Sequence, residues 1–484
     1  MRRAAALVPA AVLTMVTVPA TASAHNLTGR YESPLPLEAY LAGAAIAVGL
    51  SFAIVLLRPT GAAPAPGDHG QPTRARRGAT QPRVVRVPRA VRLGLRTLGL
   101  VAWTWVIVQG LIGQATDGDV ASLVLWTYGW VALPIVCAFI GPAWEWLDPF
   151  ATLHDVLAAI GRRAGLRGWH PVTYPARLDA WPAVGLFVII VWFELVETVA
   201  RAGRPLALVL LGYTAWTLLM MAQFGRDAWR RQGETFGVWL STLGRLAPLV
   251  LVEGGAPDAL RRRRFGAGLL EPGWGTARLV LVAVATASIL FDGLSQTQSW
   301  FDLVGAPGLA PATVQLALFL GLVAAAAVLV ARVVGVPGMA AGLVPIAFGY
   351  LLAHYLTVLA FDGQRLVVVL SDPLGLGWDL FGSAHYEPVE SWLPGGAIWA
   401  MQLAAVVGGH VVGAVFGHRA AAQSTGPAPG SARDLRLRQV PLAILMVCLT
   451  TLTLWSLGQG LVEKQEAGRA AGTSVASRSA STGG

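Results

Sequence analysis

Apolar stretches close to the ~20 residues that a helix needs to cross a bilayer recur along this chain of 484 residues. The composition agrees, because 55% of the residues are hydrophobic and only 13% are charged, whereas soluble proteins carry about 25% charged residues. The sequence therefore predicts an all-α membrane protein with about ten transmembrane helices. It argues against a secreted enzyme, a nucleic-acid-binding protein and a disordered chain. The predicted spans are 39–57, 97–113, 121–140, 181–200, 205–222, 277–296, 312–334, 342–361, 395–416 and 440–458.

The two ends of the chain differ in character from the predicted membrane domain. Residues 1–24 have the basic start, the apolar stretch and the small residues before Ala24 that are typical of a cleaved signal peptide. An uncleaved anchor is the alternative, and in both cases the following residues begin outside the cytoplasm. The polytopic membrane domain is predicted to cover 25–458, and the small polar residues of 459–484 predict a disordered tail.

The distribution of arginine predicts how the spans are oriented. The net charge is +10, and arginine-rich segments alternate with segments that are short or acidic. The positive-inside rule places the basic segments in the cytoplasm. We therefore expect a multi-pass protein of the cell inner or plasma membrane, with the mature N-terminus and the C-terminus both outside. The predicted cytoplasmic segments are 58–96, 141–180, 223–276 and 417–439.

Two stretches of the predicted cytoplasmic segments are too apolar to be simple loops. Asp148-Pro149 is a typical helix start, and apolar residues then recur at helical spacing. We expect a helix over 149–163 that lies in the inner membrane interface. The apolar stretch 237–252 is interrupted by arginine and proline and flanked by arginine clusters, which favours an interfacial or re-entrant segment.

The C-terminal half contains a candidate internal repeat. The hairpins 277–334 and 342–416 share, in the same order, a Phe-Asp-Gly motif, an Asp-Leu-x-Gly motif and a Gln-Leu-Ala motif. The Phe-Asp-Gly motifs contain Asp292 and Asp362. We therefore predict that the two hairpins superpose, as parallel repeats do in some transporters, with these two aspartates at a similar depth.

Ionisable residues within the predicted spans are the strongest functional candidates, because such residues are costly in lipid and usually face a bundle interior or a cavity. The four carboxylates among them are predicted in the outer half of the membrane, and the two histidines lie deeper. Glu194 and Glu197 are expected on one helix face. The candidates are Glu194, Glu197, Asp292, His354, Asp362 and His410.

His354 and His410 belong to the second hairpin only, where the first hairpin has Val284 and Val323. They could be buried histidines that bond a carbonyl or a tyrosine such as Tyr350. They could also form a proton or substrate site with the outer carboxylates, or ligate a metal ion or a haem. The helical rise places the two histidines at different depths. We therefore expect Tyr355 or a water to connect them through hydrogen bonds, rather than both rings to chelate one ion.

A separate copper site is an alternative on the outer face. Signal-peptide cleavage after Ala24 would make His25 the first residue, and its amine and ring nitrogen could then chelate one copper ion. His385 lies in the long outer loop on the same predicted side of the membrane.

Several motifs resemble a group of polytopic membrane proteins of high-GC bacteria, whose members often carry the name fenitrothion hydrolase. The resemblance covers most of the chain and implies the same polytopic fold. The name implies hydrolysis of an organophosphate ester, chemistry that usually needs a metal centre. The motifs that carry the resemblance are 24–30 (AHNLTGR), 224–227 (FGRD), 291–297 (FDGLSQT), 349–355 (GYLLAHY) and the stretch 371–382.

The sequence leads to one main interpretation and two alternatives. The main interpretation is a transport or permease-type membrane protein, or the membrane component of a complex with other subunits, with a polar site near the outer face. The first alternative is a membrane-embedded metal-dependent hydrolase that uses His354, His410 and the outer carboxylates. The second is a haem- or copper-binding membrane protein. The bilayer is the expected surrounding in each case, and nucleic acid is not an expected partner.

Overall fold

The described part of the chain excludes both termini. The predicted signal peptide, His25 and the tail 459–484 lie outside it, and so does the span 39–57 apart from four helical positions. The computed structural model describes residues 42, 43, 46, 49, 84–113, 120–165, 171–197, 203–252, 254–256, 258–305, 308–389, 391–424 and 432–457.

Helices dominate the described residues, as the sequence predicts. A π-helix, Ala121–Ala132, and three 3₁₀ turns, Ala176–Leu178, Ala267–Leu270 and Asp362–Arg365, accompany the α-helices. In chain order, the α-helices are α1 Arg89–Ile112, α2 Leu133–Phe139, α3 Trp144–Leu147, α4 Pro149–Arg163, α5 Trp181–Leu195, α6 Gly203–Phe224, α7 Arg226–Gln232, α8 Thr235–Leu243, α9 Thr276–Ser295, α10 Gln298–Val304, α11 Leu309–Val334, α12 Val336–Ala360, α13 Leu366–Ser371, α14 Gly395–Ser424 and α15 Ala432–Leu457.

Eight helices in the described residues are long and apolar enough to cross a membrane, as expected for a multi-pass membrane protein. The predicted span at 121–140 is a shorter apolar segment, Leu123–Phe139. Much of it is π-helical. In a π-helix, each backbone hydrogen bond joins residues five positions apart, one more than in an α-helix. The prediction of about ten spans therefore stays a prediction for this segment and for 39–57. The eight helices are α1, α5 with the 3₁₀ turn before it, α6, α9, α11, α12, α14 and α15.

A small antiparallel sheet departs from the all-α prediction. Its strands are β1 Val84–Arg86, β2 Leu249–Leu251 and β3 Ala259–Arg262, in the order β1-β3-β2. The sheet joins the segment before α1 to two parts of the long segment between α8 and α9. Strands of three or four residues are too short to show alternating hydrophobicity clearly, which explains why the sequence did not reveal them.

The two apolar stretches of the predicted cytoplasmic segments form distinct structures. The predicted helix 149–163 is confirmed as α4, and the Asp148 side chain caps it by accepting hydrogen bonds from the backbone N–H groups of Phe150 and Ala151. The stretch 237–252 contains most of α8, a turn and β2. α8 has nine residues, far fewer than a membrane crossing requires.

The two predicted repeat hairpins have a similar order of elements. Each contains a long helix, a short helical connection and a long return helix, namely α9-α10-α11 and α12-α13-α14. This order is what a duplication requires, and the superposition of the two hairpins stays a prediction. The long insertion between α13 and α14 makes the second connection larger.

Glycine allows α12 and α14 to pack with their backbones in contact. A Cβ atom on Gly349 would lie only 2.4 Å from the carbonyl oxygen of Ala405, and one on Gly409 would lie 2.7 Å from the carbonyl oxygen of Pro345. Small residues at such positions are typical of helix pairs in membranes. This packing fixes the position of α12, which carries His354 and Tyr355, relative to α14, which carries His410.

Candidate functional site

Three helices bring polar side chains together near one end of the bundle. Asp292 lies in the last turn of α9, Glu194 lies in the last turn of α5, and α12 places two consecutive polar residues between them, His354 and Tyr355. These four residues, which the arginine distribution predicts near the outer face, form what we call the outer cluster. Their helices have apolar neighbouring positions, so the cluster is a polar group inside a mostly apolar bundle.

The shortest contact in the outer cluster joins an imidazole to a carboxylate. Nε2 of His354 lies 2.8 Å from Oδ2 of Asp292. The side chains of His354 and Asp292 are 19% and 16% exposed, respectively, so the surroundings shield the pair from most of the solvent. A contact of this length is compatible with an imidazolium–carboxylate pair and with a neutral imidazole that accepts a hydrogen bond from a carboxylic acid.

Tyr355 connects this pair to the second carboxylate. Its hydroxyl donates a hydrogen bond to Oε1 of Glu194 at 3.1 Å and lies 3.5 Å from Oδ2 of Asp292. The rings of His354 and Tyr355 meet edge to face, with centroids 4.7 Å apart. The hydroxyl therefore bridges two acidic groups on different helices, α5 and α9.

The glycine of the first Phe-Asp-Gly motif makes room for the His354 ring. A Cβ atom on Gly293 would lie 3.7 Å from both Nδ1 and Cε1 of His354, and 3.4 Å from Oγ of Ser456. The imidazole thus lies beside the backbone that carries Asp292. The motif contributes a carboxylate and, at the next residue, the small surface against which the histidine packs.

A small cavity lies beside His354. It has a volume of about 10 Å³ and is lined by Ile289, Leu290, Tyr350, His354, Thr453 and Ser456. A cavity of about 10–15 Å³ can hold a single water molecule, provided that several polar groups surround it. The side chains of Tyr350, Thr453 and Ser456 supply hydroxyl groups, and His354 supplies a ring nitrogen.

His410 lies beyond this cavity and is completely buried. Its Nδ1 lies 2.8 Å from the carbonyl oxygen of Val406, one turn earlier in α14. Because a carbonyl only accepts, Nδ1 carries the proton in this hydrogen bond. The hydroxyl of Tyr350 lies 3.4 Å from Nε2 of the same ring.

The structure therefore connects the two histidines indirectly. The path runs from Asp292 to His354, across the cavity to Tyr350, and then to His410. Tyr350 makes the contact with His410, whereas Tyr355 turns toward the carboxylates.

Helix dipoles add to the negative potential of the outer cluster. The C-terminus of a helix carries a partial negative charge, and acidic residues in the last turn are unfavourable there unless a positive charge is near. Glu194 and Asp292 both occupy last turns, in α5 and α9. This arrangement favours a cationic partner at the cluster.

The remaining predicted site residues lie elsewhere. Asp362 is exposed, and its carboxylate is 3.9 Å from Nε of Arg365. Glu197 lies beyond the end of α5. Contrary to the prediction, it therefore does not share a helix face with Glu194. His385 is exposed in the loop between α13 and α14, and hydrogen bonds from Ala384 and Ser371 lower the pKa of Asp379 in the same loop. His25 lies outside the described residues, which leaves the copper prediction untested.

A second buried polar cluster lies in the predicted cytoplasmic part. Glu234 is completely buried; its Oε1 accepts a 2.6 Å hydrogen bond from Tyr213, and its carboxylate caps α8 through Phe236 and Gly237. Loss of solvation, followed by the charge of Asp148, raises the pKa of Glu234 to about 7. The hydrogen bonds oppose this rise but do not outweigh it.

Arg230 compensates the nearby acidic residues of this second cluster. Its Nε donates to Oδ2 of Asp148 at 2.5 Å, and its NH1 lies 3.2 Å from Oε2 of Glu145. Asp148 is 1% exposed, so a lost partner would leave a buried charge. Sequence reasoning identified Asp148 as a helix cap but missed its link to Glu234. The isolated hydroxyl of Tyr213 within an apolar helix was the available signal.

The described residues give no direct support to a metal centre. They contain no group of three or more His, Cys, Asp or Glu side chains placed to hold a metal ion. Comparison with protein-family models, curated proteins and solved structures finds no match for the chain. The candidate function therefore depends on the geometry of the site.

Proposed function

We propose that this chain is an integral membrane protein of the transport or permease type that takes up and releases a proton at its outer cluster. The 2.8 Å contact between His354 and Asp292 carries the proposal. An imidazole and a carboxylate are the side chains whose ordinary pKa values lie closest below neutral pH, so they exchange protons readily. Proton relays of Asp, Glu and His within membrane spans are typical of pumps and transporters.

The neighbours of the pair support movement of the proton in two directions. Tyr355 links Asp292 to Glu194, which lies at the predicted outer end of α5. On the opposite side, the cavity and Tyr350 link His354 to the deeply buried His410. The outer cluster thus has a polar connection toward the outer face and another toward the middle of the membrane.

Proton flux into proteoliposomes tests this function. The purified protein is reconstituted with an internal pH indicator, and a potassium gradient with valinomycin imposes a membrane potential. We expect an inward proton flux with the native chain, and a reduction of about tenfold or more for Asp292→Asn and His354→Gln, since general acid–base groups typically contribute 10²–10⁴-fold to proton transfer.

Asp362→Asn is the matched control for this experiment. It removes a carboxylate from the corresponding motif of the second hairpin, but that carboxylate is exposed and pairs with Arg365. We expect its flux to equal that of the native chain. A native flux no greater than that of empty liposomes, or a normal flux in Asp292→Asn, would contradict the proposal.

A further inference from the structure

An apolar groove lies between α12, α14 and the C-terminal end of α2. Its volume is about 180 Å³ and it is open on one side. Its walls include three phenylalanine rings: Phe139 stacks on Phe265 with centroids 6.0 Å apart and meets Phe348 edge to face at 5.1 Å. Phe139 and Phe265 remain 47% and 43% exposed, so they present apolar surface to whatever occupies the groove.

Gly408 leaves the wall of the groove open. A Cβ atom at this position would meet no other atom within 4 Å, and the residue lines the groove. The neighbouring Gly409 faces the backbone of α12 instead. The two consecutive glycines thus serve different purposes, because one allows close helix packing and the other leaves space beside it.

Basic side chains lie next to one end of the groove. Arg264 directly precedes Phe265, and Gly266 packs on the ring of Phe416, which a Cβ atom at that glycine would approach within 2.5 Å. The guanidinium of Arg419 lies 5.9 Å from the centroid of the same ring. Arg264 and Arg419 are both exposed.

The guanidinium groups of these two arginines are available to pair with an anionic ligand. Among the described residues, no carboxylate oxygen lies within 4.0 Å of Arg264 or Arg419, whereas Arg261 and Arg263 of the same segment pair with Glu271. The positive-inside rule places this end of the bundle in the cytoplasm. An apolar groove that ends at basic residues on that side matches an acyl chain joined to an anionic headgroup.

We infer that the groove holds one acyl chain of an anionic phospholipid from the inner leaflet, with its phosphate between Arg264 and Arg419. The apolar walls recognise the chain, and the two guanidinium groups select the charged headgroup. This site is separate from the outer cluster and does not depend on the proton function proposed above.

Native mass spectrometry of the full chain in detergent micelles tests the site, with dioleoyl phosphatidylglycerol and dioleoyl phosphatidylcholine as probes. We expect one phosphatidylglycerol to remain bound in preference to phosphatidylcholine. Gly408→Leu should abolish this binding by filling the groove. Arg264→Gln and Arg419→Gln should each weaken it about fivefold, since one basic residue near an anionic membrane surface typically contributes that much.

Two matched variants separate this site from general effects on the membrane surface. Gly321→Leu adds the same side chain to α11, where a Cβ atom also meets nothing within 4 Å. Arg332→Gln removes an exposed arginine from the end of α11. Both should bind phosphatidylglycerol as the native chain does. Equal binding of the two lipids, or unchanged binding in Gly408→Leu, would overturn the inference.

Discussion

Nε2 of His354 lies 2.8 Å from Oδ2 of Asp292, although 62 positions separate the two residues along the chain. The pair joins the two predicted hairpins, because Asp292 lies in the last turn of the first helix of one and His354 belongs to the first helix of the other. Each hairpin thus supplies one half of a contact that neither could form alone. The contact therefore couples the packing of α9 and α12 to the polar chemistry of the outer cluster.

The first prediction is that Asp292 and His354 stabilise the fold as a unit. Asp292→Asn and His354→Gln should each lower the free energy of unfolding by about 1–3 kcal/mol, because each leaves a shielded polar partner without its hydrogen bond. The double variant should be little worse than either single variant, with a coupling energy of about 1–2 kcal/mol. Unfolding in detergent micelles by denaturant measures all three values.

The control for this cycle combines His354→Gln with Asp362→Asn. Asp362 is 56% exposed, so its removal should have a small effect that adds to that of His354→Gln. Strict additivity for Asp292 and His354 would mean that the observed contact contributes no stability.

The second prediction concerns the pH dependence of stability through Glu234. Burial raises the pKa of this carboxyl from 4.5 to about 7 in the folded state. The folded protein therefore binds more protons than the unfolded chain between these values. The stabilising contribution is full below the unfolded pKa and is lost as the pH rises through 7.

Glu234→Gln should remove this dependence because the amide does not titrate. Between pH 5 and pH 8, we expect the native chain to lose on the order of 1–3 kcal/mol more unfolding free energy than the variant. Glu387→Gln, at an exposed position in the loop between α13 and α14, should retain the native pH profile. Parallel profiles for the native chain and Glu234→Gln would show that Glu234 is ionised throughout this range.

The third prediction tests the orientation of the bundle. Arg262→Cys and His385→Cys place thiols at exposed positions on β3 and in the loop between α13 and α14. In intact cells, a membrane-impermeant maleimide should label His385→Cys, and it should label Arg262→Cys only after permeabilisation, as the arginine distribution predicts. The native chain reports the background from Cys137, which is buried, and Cys448. Labelling of Arg262→Cys in intact cells would contradict the predicted orientation of the later spans.

Local rules were sufficient for many helices and for the α4 cap. Long apolar runs in lipid have few alternatives to a helix, because every backbone polar group must be satisfied within the segment. The Asp148-Pro149 start depends on neighbouring residues only. Such features need no knowledge of which helices pack together.

The outer cluster required information that the sequence does not contain. Ionisable character singled out Glu194, Asp292 and His354, but their meeting depends on the packing of α5, α9 and α12. Asp362 has the same local motif as Asp292 yet lies exposed beside Arg365. Tyr355 was expected to serve the histidines, whereas its hydroxyl bonds carboxylates on two other helices. Tertiary packing decides between such alternatives.

The last prediction compares two adjacent glycines in α14. In Gly409→Ala, the new methyl group would lie 2.7 Å from the carbonyl oxygen of Pro345 and 3.3 Å from Cα of Gly349. Backbone atoms cannot rotate away, so α12 and α14 must separate, and overpacking of this kind typically costs about 1–3 kcal/mol. In Gly408→Ala, the methyl group meets nothing within 4 Å, so we expect a change within about 0.5 kcal/mol. Denaturant unfolding in micelles measures both, and because the substitutions are identical and adjacent, differences in helix propensity largely cancel. Equal stability of the two variants would mean that α12 and α14 do not pack through their backbones at Gly409.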